Sequence, residues 1–169
     1  MQLVHIDKAR YRKHLNTVIV GFIVVLLTLS LTFGQLLILA FEQAGVSNFK
    51  FNLLGVILAL LGCAAILHSF KNSDFFKEIY YVWQIKQIQN LIYRKLTKVK
   101  AAADTDDIDA LTILLFYYQS QQQVYQLDDN TLTISKVNEN LSDLQETIAN
   151  KSLSVTTEMF DKKMLNSYS

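Results

Sequence analysis

Three histidines are the first candidates for catalysis or metal binding. A Ser–His–Asp triad needs a histidine that can reach both a carboxylate and a hydroxyl. The 169-residue chain offers only His5, His14 and His68. His14 and His68 flank two long apolar segments, where they could approach each other for proton sensing or metal binding. We favour the simpler interpretation that they are polar residues at the ends of those segments.

A run of aspartates in "AAADTDDIDA", residues 101–110, is the second candidate. Four carboxylates could bind a divalent metal, but the run lacks the spacing and the glycine of a calcium loop. A helix beginning here explains it better, with Asp104, Thr105 or Asp106 as the N-cap and carboxylates in the first turn. Without a Cys-x-x-Cys or a phosphate-binding glycine loop either, we expect no enzyme activity, no cofactor and no metal.

Two apolar segments dominate the chain. Residues 15–41 and 51–70 contain no charged residue, and each is long enough to cross about 30 Å of hydrocarbon. The first is too long for the apolar part of a signal peptide, so we expect it to stay as an anchor. The sequence therefore predicts a transmembrane hairpin over residues 17–70, with an outer turn at 42–50.

Charge predicts the orientation of this hairpin. Residues 1–16 carry four basic groups against one acidic group, and residues 71–100 carry seven against two. Lys and Arg beside spans favour the cytoplasmic side. We expect a multi-pass membrane protein with both termini in the cytoplasm.

Packing of the two spans is predicted from small residues. Gly55, Ala59 and Cys63 recur every four residues in the second span. Such ladders let helix backbones approach closely in lipid. Cys63 is the single cysteine, so it forms no intramolecular disulfide.

The residues just after the second span suit the membrane interface. They combine aromatic side chains with Lys71 and Lys77, and both types are typical of the headgroup region. We predict contact with lipid by Phe75, Phe76, Tyr80 and Trp83. The basic segment "KQIQNLIYRKLTKVK" also allows nucleic-acid binding, but no recognition motif accompanies the charge and we expect none.

Residues 71–169 contain no proline and predict cytoplasmic helices over about 74–100, 106–127, 131–150 and 154–165. The third has a coiled-coil-like stripe at steps of three and four. This stripe is predicted to be buried, either in a small antiparallel bundle within one chain or against a partner. Its members are Ile134, Val137, Leu141, Leu144 and Ile148.

The N-terminal "IDKARYRKHLN", residues 6–16, and the following "VIVGF" resemble an uncharacterised family of small inner-membrane proteins of gamma-proteobacteria. The resemblance implies a two-span hairpin with a helical tail and a bacterial inner membrane. It implies no activity and no functional residue.

These features predict an all-α membrane protein that serves interaction rather than catalysis. Its partners would be membrane lipid and either a second copy or another membrane-associated protein, docked through the cytoplasmic helices. The alternative is a small subunit of a transport or sensing complex whose spans oligomerise. The two readings differ in which surface meets the partner, the cytoplasmic helices or the spans.

Overall fold

The computed structural model describes residues 2–41 and 47–168. This part of the chain is helical and contains no strand, which confirms the all-α prediction for it. The α-helices are α1 (Lys8–Phe41), α2 (Phe49–Phe70), α3 (Lys77–Tyr93), α4 (Leu96–Ala103), α5 (Ile108–Leu127) and α6 (Thr131–Asn150), and two 3₁₀ helices follow at Thr157–Met159 and Lys162–Tyr168.

The chain divides into two compact units. Lys13–Tyr80 forms the hairpin unit, and the residues up to Arg12 join those from Tyr81 onwards in the bundle unit. Helices α1 and α3 each contribute residues to both units.

The hairpin unit contains the two apolar helices. Both α1 and α2 are long and apolar enough to cross a membrane, judged by length and composition. Helix α1 begins at Lys8, seven residues before the predicted span, because Asp7 accepts the Arg10 N–H at 2.8 Å and caps the helix there. Most of the predicted outer turn, residues 42–46, lies outside the described residues.

Small residues bring α1 and α2 together. Gly55, Ala59 and Cys63 are buried on α2, and Gly34 is buried on α1. A Cβ on Gly55 would lie 2.6 Å from the backbone nitrogen of Gly34 and 2.8 Å from its Cα. Only glycine allows two backbones to approach this closely. The Ser30 hydroxyl donates to the Leu26 carbonyl at 2.6 Å, so it needs no hydrogen-bond partner from lipid.

The close contact predicts opposite effects for two glycine substitutions in the hairpin. Gly55→Ala should lower the free energy of unfolding by roughly 1–3 kcal/mol, because the added methyl group meets backbone atoms that must move. Gly21→Ala is the matched control, because a Cβ at Gly21 has nothing within 4 Å. It should be neutral or stabilising by up to about 1 kcal/mol, since alanine is the better helix former.

Unfolding in mixed micelles by increasing dodecyl sulfate, followed by circular dichroism, measures both variants. Equal stability of the two variants would contradict the close packing of α1 on α2.

The bundle unit is organised around α5. All residues from Ala110 to Tyr118 are buried, and Phe116 is completely inaccessible. A helix that is apolar around its circumference must be covered on every side. Helices α4 and α6 and both 3₁₀ helices contact it.

The predicted helix 74–100 is divided in the structure. Helix α3 ends at Tyr93, where the Lys95 N–H donates to the Ile92 carbonyl at 2.9 Å, and α4 begins at Leu96. This hydrogen bond spans three residues instead of the four of an α-helix, so it tightens the last turn of α3. The break lies between Ile92 and Val99, both fully buried in the core, so packing on the bundle determines where it falls.

The predicted α-helix 154–165 is also wrong in kind, since two short 3₁₀ helices form there. The ring of Phe160 stacks on that of Phe116 at 4.0 Å, and Leu165 and Tyr168 are buried in the same core. Tertiary contacts at irregular spacing therefore outweigh the weak helical pattern of this segment.

Candidate functional site

The predicted stripe of α6 faces its own chain. Val137 and Leu141 are buried, and Ile134, Leu144 and Ile148 are half-buried. Leu141 belongs to the core that contains α5, and Leu144 and Ile148 pack against that core. Of the two places predicted for this stripe, the structure describes the one within the chain.

The opposite side of α6 is exposed and acidic. Leu132 is 91% exposed, and Glu139, Asp143 and Glu146 lie on the same side at helical spacing. Lys136 is the single basic residue of α6 and pairs with Glu139 at 2.8 Å. We call Leu132, Glu139, Asp143 and Glu146 the acidic face.

The N-terminal segment is fastened to the turn between α5 and α6. Lys8 and Arg12 both pair with Asp129, the latter at 2.7 Å. Asp128 accepts a hydrogen bond from the Tyr11 hydroxyl at 3.0 Å and pairs with Lys86 of α3 at 2.7 Å. Burial, with the Asp128 carboxylate beside it, raises the pKa of Tyr11 well above its usual range.

A second attachment lies nearer the chain start. The Val4 N–H donates to the Tyr81 hydroxyl at 2.7 Å, and the side-chain amide of Gln123 donates to the Val4 carbonyl at 2.6 Å. Burial raises the pKa of Tyr81. Residues 4–12 thus bridge α3 and the end of α5.

Sequence reasoning missed this attachment. It assigned the basic residues at 8–13 to membrane orientation and predicted no acidic partner for them. Their separation of more than a hundred positions gives no periodic signal, and opposite charge alone does not select a pair.

The residues predicted for the membrane interface fall in both units. Phe75, Phe76 and Tyr80 belong to the hairpin unit, whereas Trp83 belongs to the bundle unit and is 52% exposed. Phe75 and Phe76 meet edge to face at 5.6 Å, just before α3 begins. Contact with lipid is compatible with the exposure of Phe75 and Trp83 and stays a prediction for all four.

The two histidines beside the apolar segments have separate neighbours. His14 Nδ1 lies 3.6 Å from a Glu78 carboxylate oxygen, an ion-pair separation longer than a normal hydrogen bond, and its ring stacks on Phe75 at 4.2 Å. His68 instead contacts Lys71 at 3.3 Å. The side chains of His14 and Glu78 are both largely buried.

A cavity of about 500 Å³ lies within the hairpin unit. None of its lining side chains is charged, so it suits hydrocarbon rather than a polar ligand. Its lining residues include Gly21, Phe22, Cys63, Leu67, Phe70 and Phe75.

The aspartate run at 104–109 starts α5. Asp107, rather than the predicted Asp104, Thr105 or Asp106, is the N-cap and accepts the Ala110 N–H at 3.0 Å. It is displaced by one residue because Asp106 adopts a left-handed φ of 64° and pairs with Lys151.

Asp107 also ties down the end of the chain. It accepts a hydrogen bond from the Tyr168 hydroxyl at 3.1 Å. Burial, then this bond, raises the pKa of Tyr168 to about 12. In the described residues, no group of three or more His, Cys, Asp or Glu side chains could hold a metal ion.

Family membership follows from comparison with known sequences. Residues 1–165 match a family described as "Protein of unknown function (DUF3087)". The chain belongs to the DUF3087 family. No curated protein and no solved structure is significantly similar to it. Because the match begins at residue 1 and ends at 165, it includes both the N-terminal segment and the bundle of this DUF3087 protein.

Attachment of the N-terminal segment should depend on pH and salt. The hydrogen bond from Lys8 lowers the pKa of Asp129, so the folded state favours the ionised carboxylate. The stabilisation is present above the usual pKa of an aspartate and is lost as the pH falls through the lowered value. Because these pairs are exposed, high salt should weaken them as well.

Asp129→Asn should therefore speed amide hydrogen exchange of residues 4–12, measured by mass spectrometry and compared with the natural chain at one pH. Asp143→Asn, on the acidic face, is the control and should leave that exchange unchanged. Equal protection in Asp129→Asn and the natural chain would show that the ion pairs do not hold the segment.

Proposed function

We propose that this DUF3087 protein is an integral inner-membrane interaction or scaffold protein of gamma-proteobacteria. In this proposal, α1 and α2 span the membrane and both termini are cytoplasmic. The acidic face of α6 docks a protein with a basic surface. The observation that carries the proposal is the bundle unit, which leaves an acidic helix face exposed after its apolar stripe is covered.

The exposure of the apolar helices supports insertion into a membrane. Only 6% of the most apolar window of α1 and 17% of that of α2 is buried. The core helix of a soluble protein would have most of this surface covered. Lipid is the solvent in which such exposure is favourable.

The composition of the bundle unit supports the proposed topology. It contains both the residues up to Arg12, which include the start of α1, and the residues from Tyr81 onwards. Two segments that fold together must lie on one side of a membrane. The basic residues at 8–13 and 71–100 favour the cytoplasmic side.

The topology predicts the behaviour of reporter fusions. A reporter active only in the periplasm should work when inserted within residues 43–49 and fail when fused to either terminus. A reporter active only in the cytoplasm should show the reverse pattern. Periplasmic activity from the C-terminal fusion would overturn the orientation.

Docking through the acidic face predicts site-specific crosslinks in native membranes. A photo-crosslinking amino acid at Leu132 should capture a partner, because Leu132 is the most exposed large apolar residue of that face. The same probe at Lys162, an exposed residue of the C-terminal 3₁₀ helix, is the positional control. Reversing charge with Glu139→Lys and Asp143→Lys should abolish the adduct while leaving membrane insertion intact.

The mass of the adduct separates the possible partners. An adduct of twice the monomer mass identifies a second copy, and another mass identifies a different protein. An adduct that survives charge reversal, or appears equally from position 162, would refute docking by the acidic face.

A subunit of a transport or sensing complex is the second candidate. The observation that favours it is the His14–Glu78 pair, a titratable pair largely buried in the hairpin unit. In that case the spans would oligomerise. Crosslinks would form from α1 or α2 rather than from the acidic face.

A further inference from the structure

The exposed side of α3 and the start of α4 combines basic and aromatic residues. Trp83 is 52% exposed and Tyr93 is 67% exposed. Steps of three and seven residues from Trp83 place Lys86 and Asn90 on the same side of α3, and Arg94 and Lys98, at and beyond the break, are exposed as well. Val82, Ile85 and Ile92 are buried on the other side. We call Trp83, Asn90, Tyr93, Arg94 and Lys98 the basic face.

The charge of these helices has one sign. Residues 79–103 contain five basic residues and no acidic residue. Glu78, on the same helix, lies on the side away from Trp83 by helical spacing. Lys86 pairs with Asp128 of the bundle, and Arg94, Lys95 and Lys98 lie near the junction of α3 and α4.

A hollow of about 430 Å³ lies at that junction. It is lined by Arg94, Lys95, Thr97, Lys98 and Tyr168. Lys95 reaches the Leu165 carbonyl at 2.8 Å, and the Tyr168 hydroxyl is bonded to Asp107. Arg94 and Lys98 are the exposed basic residues of this lining. A guanidinium and an ammonium beside a threonine hydroxyl form a set of donors suited to a phosphate group.

We propose that the basic face binds the cytoplasmic surface of the membrane through anionic phospholipid, with a lipid phosphate in the hollow at Arg94 and Lys98. Trp83 and Tyr93 contact the headgroup region beside it, the location that these two side chains prefer. Each basic residue close to an anionic leaflet adds attraction that falls off within a Debye length.

The chain itself favours a membrane over other anionic partners. Helix α3 begins seven residues after α2 ends, so the connection that tethers the helix of the basic face to an apolar span is short. Tethering raises the effective concentration of lipid headgroups far above that of a soluble anion. The inference rests on the proposed insertion of α1 and α2 but not on docking of a protein by the acidic face.

The single tryptophan makes the contact measurable in the full-length protein. Trp83 reports on the first half of the basic face, and a variant with Trp83→Phe and Tyr93→Trp reports on the second half. Each is reconstituted in vesicles of phosphatidylcholine alone and in vesicles of equal parts phosphatidylcholine and phosphatidylglycerol. Acrylamide in the water and brominated acyl chains in the lipid serve as the two quenchers.

In the vesicles with phosphatidylglycerol, acrylamide quenching at position 93 should fall several-fold and quenching by brominated lipid should appear. High salt should reverse both changes. Arg94→Gln with Lys98→Gln should abolish the difference between the two kinds of vesicle. Lys162→Gln with Lys163→Gln, which removes two exposed charges elsewhere in the bundle unit, should preserve it.

Equal acrylamide quenching at position 93 in both kinds of vesicle would overturn the proposal, as would an unchanged response in the Arg94 and Lys98 variant. Protection by inorganic phosphate at matched ionic strength would assign the hollow to a free anion and also overturn it. Protection by single-stranded RNA in phosphatidylcholine vesicles would assign the face to nucleic acid instead.

Extraction of the protein from vesicles by alkaline carbonate would identify failure of insertion separately. Circular dichroism checks that the variants fold.

Discussion

The centre of α5 is apolar around its whole circumference, and the rest of the bundle unit depends on covering it. Residues 113–118 are all buried, including both tyrosines at 117 and 118. One neighbouring helix covers only one stripe of such a helix. The chain therefore surrounds α5 with α4, α6 and the two 3₁₀ helices, and Phe160 stacks directly on Phe116. This requirement also explains why the last segment folds irregularly: side-chain positions on α5 determine its path, and its own helical periodicity does not.

The sequence predicts the elements that repeat and misses those that do not. Helix α6 forms at 131–150 as its stripe indicates, because apolar residues at steps of three and four define one buried side. The break at Arg94 and Lys95 has no glycine or proline to mark it, so only packing on the bundle reveals it. The ion pairs of Lys8 and Arg12 with Asp129 likewise join residues that are far apart in the sequence and follow no periodic pattern. The residue types at the candidate sites could be predicted from the sequence. Which charged residues pair with each other could not.

Charges of opposite sign lie on different helices of the bundle unit. All charged residues of α3 and α4 from position 79 to 103 are basic, whereas α6 carries three acidic residues and one lysine. Each helix turns its apolar residues towards the core, so its charged residues are left outside. A bundle built in this way presents one cationic and one anionic surface. The two proposed partners, anionic lipid and a basic protein, therefore require opposite surfaces of charge on the same small unit.

The basic residues Lys8 and Arg12, at the start of α1, are suited to two tasks that do not conflict. Lysine and arginine beside a span direct its orientation during insertion, and neighbouring carboxylates contribute little to that rule. In the proposed topology, Lys8 and Arg12 act as orientation signals before Asp129 has been synthesised. Once the bundle forms, the same two side chains pair with Asp129 and hold the segment against it. Order of synthesis separates the two roles, because the partner carboxylate lies more than a hundred residues later in the chain.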